Sequence, residues 1–599
     1  MATTEELTGA EEVAWDLSDL YESPDDPKLE EEAAGAERDA TVFRERYHGK
    51  VATLSAAELA EATAEVERIE SAIDRALTFA HLRFSTNMAD PPRGALLSKL
   101  KEQGAAIETA LLFFGLEWAE LEDDAAEALL ADPALDHYRH WLSSVRRYRP
   151  YLLTEPEERI VTEKSISGSS AWSRLFSELL SSLRVNLDGE ELPIETAMSR
   201  LYRPDRDVRR EAAEALTTAL QPGLRTRAYV YNTILVDKSI DDRLRGYPSW
   251  ISSRNLGNET SDEAVQALID AVVSRYDVAR RYYRLKARLL GLDRIEHYDR
   301  FAPVAERGGR TSWDDARRTV VGAYSEFDEE VGEIIDGFFE ESWIDAPVRP
   351  DKSNGAFCAT TVPGVHPYIL VNYTGERRAI LTLAHELGHG LHGVLAQPLG
   401  LFNASTTLTA AETASVFGEA LTFKKLLESE DDPRRKLDLL TGRIEDAIAT
   451  TFRQISLNRF EDAAHTERRS KGELSPDRLS ELWIEAQAAL FGDSVGIGEY
   501  DSWWSYIPHF ASSPGYVYAY AYGYLFALAI FRLYELEGDA MVEPYLELLR
   551  LGGSRSPSDL AKVVGLDLDD PAIWASGIDA LAEELDEAER VAAEIGLGA

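Results

Sequence analysis

The chain has 599 residues, 44% hydrophobic and 9% aromatic, a composition that supports buried cores and excludes an acidic, aromatic-poor disordered chain. Its net charge of −43 repels phosphate backbones and anionic lipid headgroups, so neither nucleic acid nor a membrane surface is expected as a partner. The single cysteine, Cys358, excludes an intramolecular disulfide.

The acidic excess is spread along the chain, and only 13 of the 63 basic residues are lysine. Such a surface is expected of a protein adapted to a high-salt cytosol, where salt screens the self-repulsion. Residues 1–7 hold neither a basic region nor an apolar core, so they do not read as a signal peptide, and the expected location is cytoplasmic. The most apolar run, residues 516–531, is shorter than a membrane span and contains five tyrosines.

In chain order, residues 56–79, 262–290 and 314–339 carry apolar side chains at helical spacing among Glu and Arg. Residues 184–193 read as a strand and turn. There we expect the division between an N-terminal helical domain, residues 1–195, and the remainder, residues 196–599. Residues 357–362 and 368–374, separated by Pro363 and Gly364, read as a short hairpin or small sheet. A helix over 377–396 follows directly, so the expected fold is mainly α with a small β-sheet next to that helix.

That helix contains Ala384-His385-Glu386-Leu387-Gly388-His389-Gly390-Leu391-His392. Residues four apart lie on one face, so His385 and His389 can offer their imidazoles to a single ion. Zn²⁺ suits two such nitrogens and one carboxylate with a position left for water, and Glu386 beside it can take a proton from that water. The flanks, residues 380–384 and 391–395, are apolar, which places the motif in a buried helix where two histidines need partners.

A third ligand is available downstream. Residues 406–428 read as a helix capped by Thr407 or Thr409, with Glu412, Ser415 and Glu419 sharing a face. Two carboxylates beside Ala411 and Val416 are poorly placed unless a cation or histidines meet them. We read Glu412 as the metal ligand and Glu419 as the group that orients a ligand histidine. His392 reads as a packed or supporting histidine, not a fourth ligand.

Together with Trp15-Asp16-Leu17-Ser18-Asp19-Leu20-Tyr21, Gly355-Ala356-Phe357-Cys358, the stretch 368–375 and Thr451-Phe452-Arg453-Gln454, these motifs resemble the oligoendopeptidase F family. Its members are zinc peptidases related to thimet oligopeptidase. The resemblance covers nearly the whole chain and implies a mostly helical body in two halves around a deep channel that admits short unfolded peptides. It also implies one Zn²⁺ per chain.

Such a hydrolase must stabilise a developing oxyanion, and the segment from His509 to Tyr524 is where histidine and tyrosine donors concentrate. Its alternating tyrosines suggest a strand, but the helical stretch 525–536 that follows favours a Gly-containing turn running into a helix. The resemblance implies that His509 and Tyr516 contact the reacting peptide, with Tyr520 a further candidate. It also suggests that residues 355–357 offer a strand edge to the peptide backbone. Cys358 has no base tied to it and reads as a buried small residue, while Trp503 and Trp504 read as core or domain-contact residues.

The expected function is therefore hydrolysis of internal bonds in short peptides, with His385, His389 and Glu412 on zinc, Glu386 as base, and His509 and Tyr516 as donors. A dipeptidyl carboxypeptidase, a peptide-binding protein without turnover and a zinc-stabilised scaffold are the alternatives.

Overall fold

The computed structural model of the protein describes residues 7–304 and 309–597, so part of the N-terminal stretch used for the signal-peptide reading lies outside the described residues. The fold is 71% helix with a few small sheets. Ser and Asp open many of its helices by accepting backbone N–H bonds. At Ser55 the capping box is complete: its hydroxyl accepts from Glu58 N–H while Glu58 accepts from Ser55 N–H, and the helix runs over Ala56–Thr86.

Two stretches that read as single helices are each broken once. Asp262–Ser274 and Tyr276–Leu289 meet at Arg275, and Trp313–Phe327 and Glu329–Glu340 meet at Asp328. Asp328 is extended, at φ −159° and ψ 136°, and its carboxylate accepts the Val331 N–H at 3.1 Å, which starts the second helix. Neither break carries Pro or Gly, and a window of apolar spacing does not register one interrupted residue.

The chain folds as two compact units, each built from three separate stretches. The first comprises Met1–Arg149, Gly308–Ser429 and Ile530–Asp567; the second comprises Pro150–Arg307, Glu430–Ala529 and Leu568–Ala599. Residue 195, where a division was expected, lies inside the second unit. The strand-and-turn signal there is a hairpin, Arg184–Leu187 against Glu190–Pro193, packed on helix Arg206–Leu220 of the same unit. A local turn signal reports the hairpin; the units are set by contacts between residues far apart in sequence.

In the first unit, helices Pro27–Tyr47, Ala56–Thr86 and Pro91–Glu120 share a core with Val362, Val365 and Tyr368. The N-terminal segment is bound to the same region: Trp15 meets the Tyr368 ring edge-on at 6.1 Å, and Asp16 N–H donates to Ser342 O at 2.8 Å. The expected hairpin is present, Phe357–Ala359 antiparallel to Tyr368–Leu370, and a third strand, Ile344–Asp345, adds parallel to the latter. That third strand has two residues, too few to leave a pattern in the sequence. Phe357–Ala359 is left as an edge strand.

The second unit is centred on stacked and tilted rings, with Tyr231 against Phe460, Trp504 and Phe510, and Trp483 edge-on to Phe460. Trp503 and Trp504 are both 1% exposed and belong to this core. Among the described residues no helix is long and apolar enough to cross a membrane.

Two histidines of this unit are buried without hydrogen-bond partners. His297 packs on Tyr500 and Trp503, and burial together with the Arg300 cation pushes its pKa down to about 3. His465 stacks on Trp250 at 4.3 Å and lies well below its ordinary value, through burial and then the Arg469 and Lys238 charges. An imidazole whose folded pKa is depressed binds its proton only in the unfolded chain, so stability falls as pH drops below the ordinary value near 6.5. Denaturant unfolding should therefore show stability falling between pH 6.5 and pH 5 by up to about 1.4 kcal/mol per pH unit per histidine. His297→Phe should flatten that slope; an unchanged slope would refute the assignment.

Candidate metal centre

The motif helix spans Arg377–Ala396, with Ile380, Leu383, Ala384, Leu387 and Leu391 buried along its inner face. It crosses the helix Leu408–Glu428, whose residues Ala410, Ala414, Val416 and Phe417 are also buried. The crossing is very close. A Cβ added at Gly388 would lie 2.6 Å from Ser415 Cα, and one added at Gly418 would lie 1.6 Å from the hydroxyl of Tyr324, on the helix Trp313–Phe327. Tyr324 in turn donates to Ala384 O at 2.8 Å, immediately before His385.

This approach brings side chains from the two helices together. Glu412 Oε2 lies 3.4 Å from His385 Nε2 and 3.6 Å from His389 Nε2. One donor atom from each of these three residues falls within 4.8 Å of the others, the one such group of His, Cys, Asp and Glu donors among the described residues. Ser415 Oγ donates to Glu412 Oε2 at 2.6 Å, and Glu419 Oε2 lies 3.4 Å from His385 Nδ1. The three donors line a cavity of about 420 Å³ together with Ala356, Phe357, Cys358, Glu386 and His392.

The protonation behaviour fits a site built for a cation. Burial opposes charge on His385, but the Glu419 hydrogen bond and the Glu412 and Glu419 charges prevail and push it up to about 9. His389, partly buried beside that charge, is pushed down to about 4 by desolvation despite the attraction of Glu412. Burial works against ionised Glu412 too, yet the two histidines and the Ser415 hydroxyl hold its carboxyl below the ordinary range. Two imidazole nitrogens and one carboxylate oxygen, oriented by further hydrogen bonds, match the donor chemistry of zinc.

Glu386 is 7% exposed and does not belong to the donor group. Burial raises its carboxyl to about 7, with His385 and the Cys358 N–H acting in the opposite direction. The Cys358 backbone N–H thus faces Glu386 closely enough to lower its carboxyl, an influence of the edge strand that its lone thiol gave no reason to expect. Sequence reasoning also missed Ser415 as the partner of Glu412, although a spacing of three on a helix was the available signal. The close approach at Gly388 had no signal beyond a glycine inside a helix. His392 is buried, its Nε2 is unpartnered, and it stays outside the donor group.

The other expected site residues lie in the second unit. His509 opens the short helix His509–Ser512, and Tyr516 stands in the turn before the helix Tyr518–Glu537. The His509 and Tyr516 rings are parallel, 2° apart in plane with centroids at 5.9 Å, and Tyr520 Oη is 3.4 Å from His509 Nε2. Burial and the Arg453 cation lower the His509 pKa, so its imidazole is neutral at pH 7. The alternating tyrosines part company because alternate residues face different ways on a helix. Tyr518 accepts from Asn258 at 2.9 Å, Tyr522 packs on Trp574, and both are fully buried.

Comparison with known proteins places the chain. Residues 199–579 match the model described as peptidase family M3, and residues 117–184 the one described as oligopeptidase F. The protein is a metallopeptidase of the class that acts on oligopeptides. It belongs to peptidase family M3, and within it to the oligoendopeptidase F family. It is 28% identical over 97% of its length to oligopeptidase PepF of Bacillus subtilis, covering 87% of that chain. An oligoendopeptidase F homolog of Borreliella burgdorferi is 25% identical over 87% of this chain and 89% of its own. In fold it resembles the crystal structure of oligoendopeptidase-F from Enterococcus faecium, with a TM-score of 0.72 at 22% identity over 94% of this chain and 99% of that one.

Because backbone atoms oppose a side chain at Gly388, Gly388→Ala must push the two helices apart and carry Glu412 away from the histidines. Chelator competition should show metal affinity at least about tenfold weaker than wild type. Unchanged affinity would mean that the crossing does not control the donor group.

Proposed function

We propose that the protein is a zinc metalloendopeptidase that hydrolyses internal bonds of short, unfolded peptides. The observation that carries this reading is the convergence of His385 Nε2, His389 Nε2 and Glu412 Oε2 in one cavity beside a desolvated carboxyl at Glu386. His385, His389 and Glu412 would hold a zinc ion, whose Lewis acidity would activate water and polarise the scissile carbonyl. Glu386, whose buried carboxyl is raised to about 7, takes the proton of the attacking water on its carboxylate and returns it to the leaving amine. Ser415 and Glu419 orient Glu412 and His385.

The edge strand Phe357–Ala359 lines the same cavity, so an extended peptide can pair with it as a further strand. His509, kept neutral, and Tyr516 are N–H and O–H donors suited to the charge that develops on the carbonyl oxygen. The acidic, lysine-poor composition supports a cytoplasmic enzyme from a salt-adapted source, with peptides and not nucleic acids or membranes as partners. On that reading molar salt raises the midpoint of thermal unfolding; equal stability in dilute buffer would contradict it.

The test uses an internally quenched peptide of about ten residues, blocked at both ends, because a dipeptidyl carboxypeptidase requires the free carboxylate. Wild type should cleave it internally, chelation should abolish cleavage and Zn²⁺ should restore it. Glu386→Gln should keep bound zinc while losing activity by about 10³-fold. Cleavage restricted to unblocked peptides would favour the exopeptidase. Bound zinc without any cleavage would favour a peptide-binding protein, and wild-type activity in Glu386→Gln would remove that residue as the base.

A further inference from the structure

The helix Gln454–Lys471 holds a group that the reaction above does not use. Glu461 is completely buried, and its Oε1 accepts the Gly515 N–H at 3.0 Å. Its Oε2 is buried and without a partner. Burial raises this carboxyl to about 8, against the Gly515 N–H and the Arg254 charge, so at neutral pH it is mainly an uncharged acid. A buried acid is a costly way to satisfy one backbone N–H unless the position of that N–H matters.

The N–H in question belongs to the turn that carries Tyr516. Gly515 sits at φ +73°, and a Cβ there would come within 3.3 Å of the Trp250 ring. The adjoining carbonyl, Pro514 O, faces the Arg254 guanidinium, with Nε and Nη2 both at 3.4 Å. Trp250 is itself held from the same helix as Glu461: its indole N–H donates to Asp462 Oδ1 at 2.8 Å and its ring stacks on His465. The turn is thus gripped at consecutive backbone groups, and the next residue sets its ring parallel to His509.

We infer that Glu461 is a positioning residue: by accepting the Gly515 N–H it fixes the turn that presents Tyr516 beside His509. This rests on the proposed donor role of His509 and Tyr516. Glu461 does not touch the peptide; it acts through the backbone at 515. An acceptor is required at this position and a charge is not, so glutamine can replace it, whereas leucine of similar volume cannot.

The experiment compares Glu461→Gln, Glu461→Leu, Tyr516→Phe and the Leu/Phe double variant in zinc-loaded full-length protein. Tyr516→Phe should lower kcat by about 10²-fold, and Glu461→Leu by about tenfold or more with KM and zinc content near wild type. Glu461→Gln should stay within about twofold of wild type, and Glu461→Leu should cost little further in the Tyr516→Phe background. Hydrogen exchange gives a readout independent of turnover: the Gly515 amide should be protected in wild type and Glu461→Gln. In Glu461→Leu that protection should be lost. Full kcat in Glu461→Leu, an equal loss in both backgrounds, or a Gly515 amide that exchanges freely in wild type would each overturn the inference. The wild-type exchange measurement stands even where the leucine variant does not fold. A Tyr516→Phe enzyme with unaltered kcat would instead sink the donor reading, and this inference with it.

Discussion

The candidate metal centre depends on one steric fact, the close approach of the helices Arg377–Ala396 and Leu408–Glu428. One glycine permits it, and a second lets a third helix, Trp313–Phe327, brace it. Gly388 lets the Ala414–Ser415 backbone approach the motif helix, and Gly418 leaves room for the Tyr324 hydroxyl that caps Ala384 O. Helix axes usually lie about 8–10 Å apart, and small residues at the crossing bring them to the lower end of that range. A carboxylate on the second helix then reaches two imidazoles on the first. Without the crossing, the histidines would remain neighbours on one helix with nothing to complete their coordination.

The same packing makes the electrostatics work. Glu386 is buried and His385, His389 and Glu412 are partly buried, and desolvation opposes each of their charges. The arrangement is stable because charges of opposite sign face each other and because hydroxyl and carboxylate groups fill the remaining valences. Ser415 serves Glu412 and Glu419 serves His385. A cation placed among the donors would replace the proton that His385 holds and satisfy the carboxylate and both imidazoles together. The small sheet matters here for its position more than its size, since its edge strand lines the same cavity as Glu386.

Much of this was legible in the chain. The His-Glu-x-x-His helix, the carboxylates at 412 and 419, the hairpin before the motif and the helical character of most segments all follow from spacing and residue type. What escaped falls into two kinds. Breaks at Arg275 and Asp328 carry no Pro or Gly, so local pattern runs through them. The compact units, each assembled from three stretches, and the two-residue strand Ile344–Asp345 are set by partners distant in sequence.

The sequence by itself determined the chemistry on offer: two imidazoles and an adjacent carboxylate on one helical face, two carboxylates on another, and a donor-rich turn at His509–Tyr516. Those depend on the 3.6-residue period and on side-chain identity, both local properties. The tertiary structure alone decided which of these groups meet. It gave Ser415 its partner, packed Tyr518 and Tyr522 away from the turn, and placed Glu461 beneath Gly515. The physical reason is that such meetings depend on helix separation and crossing, which short glycine contacts set and which no periodicity in the chain encodes.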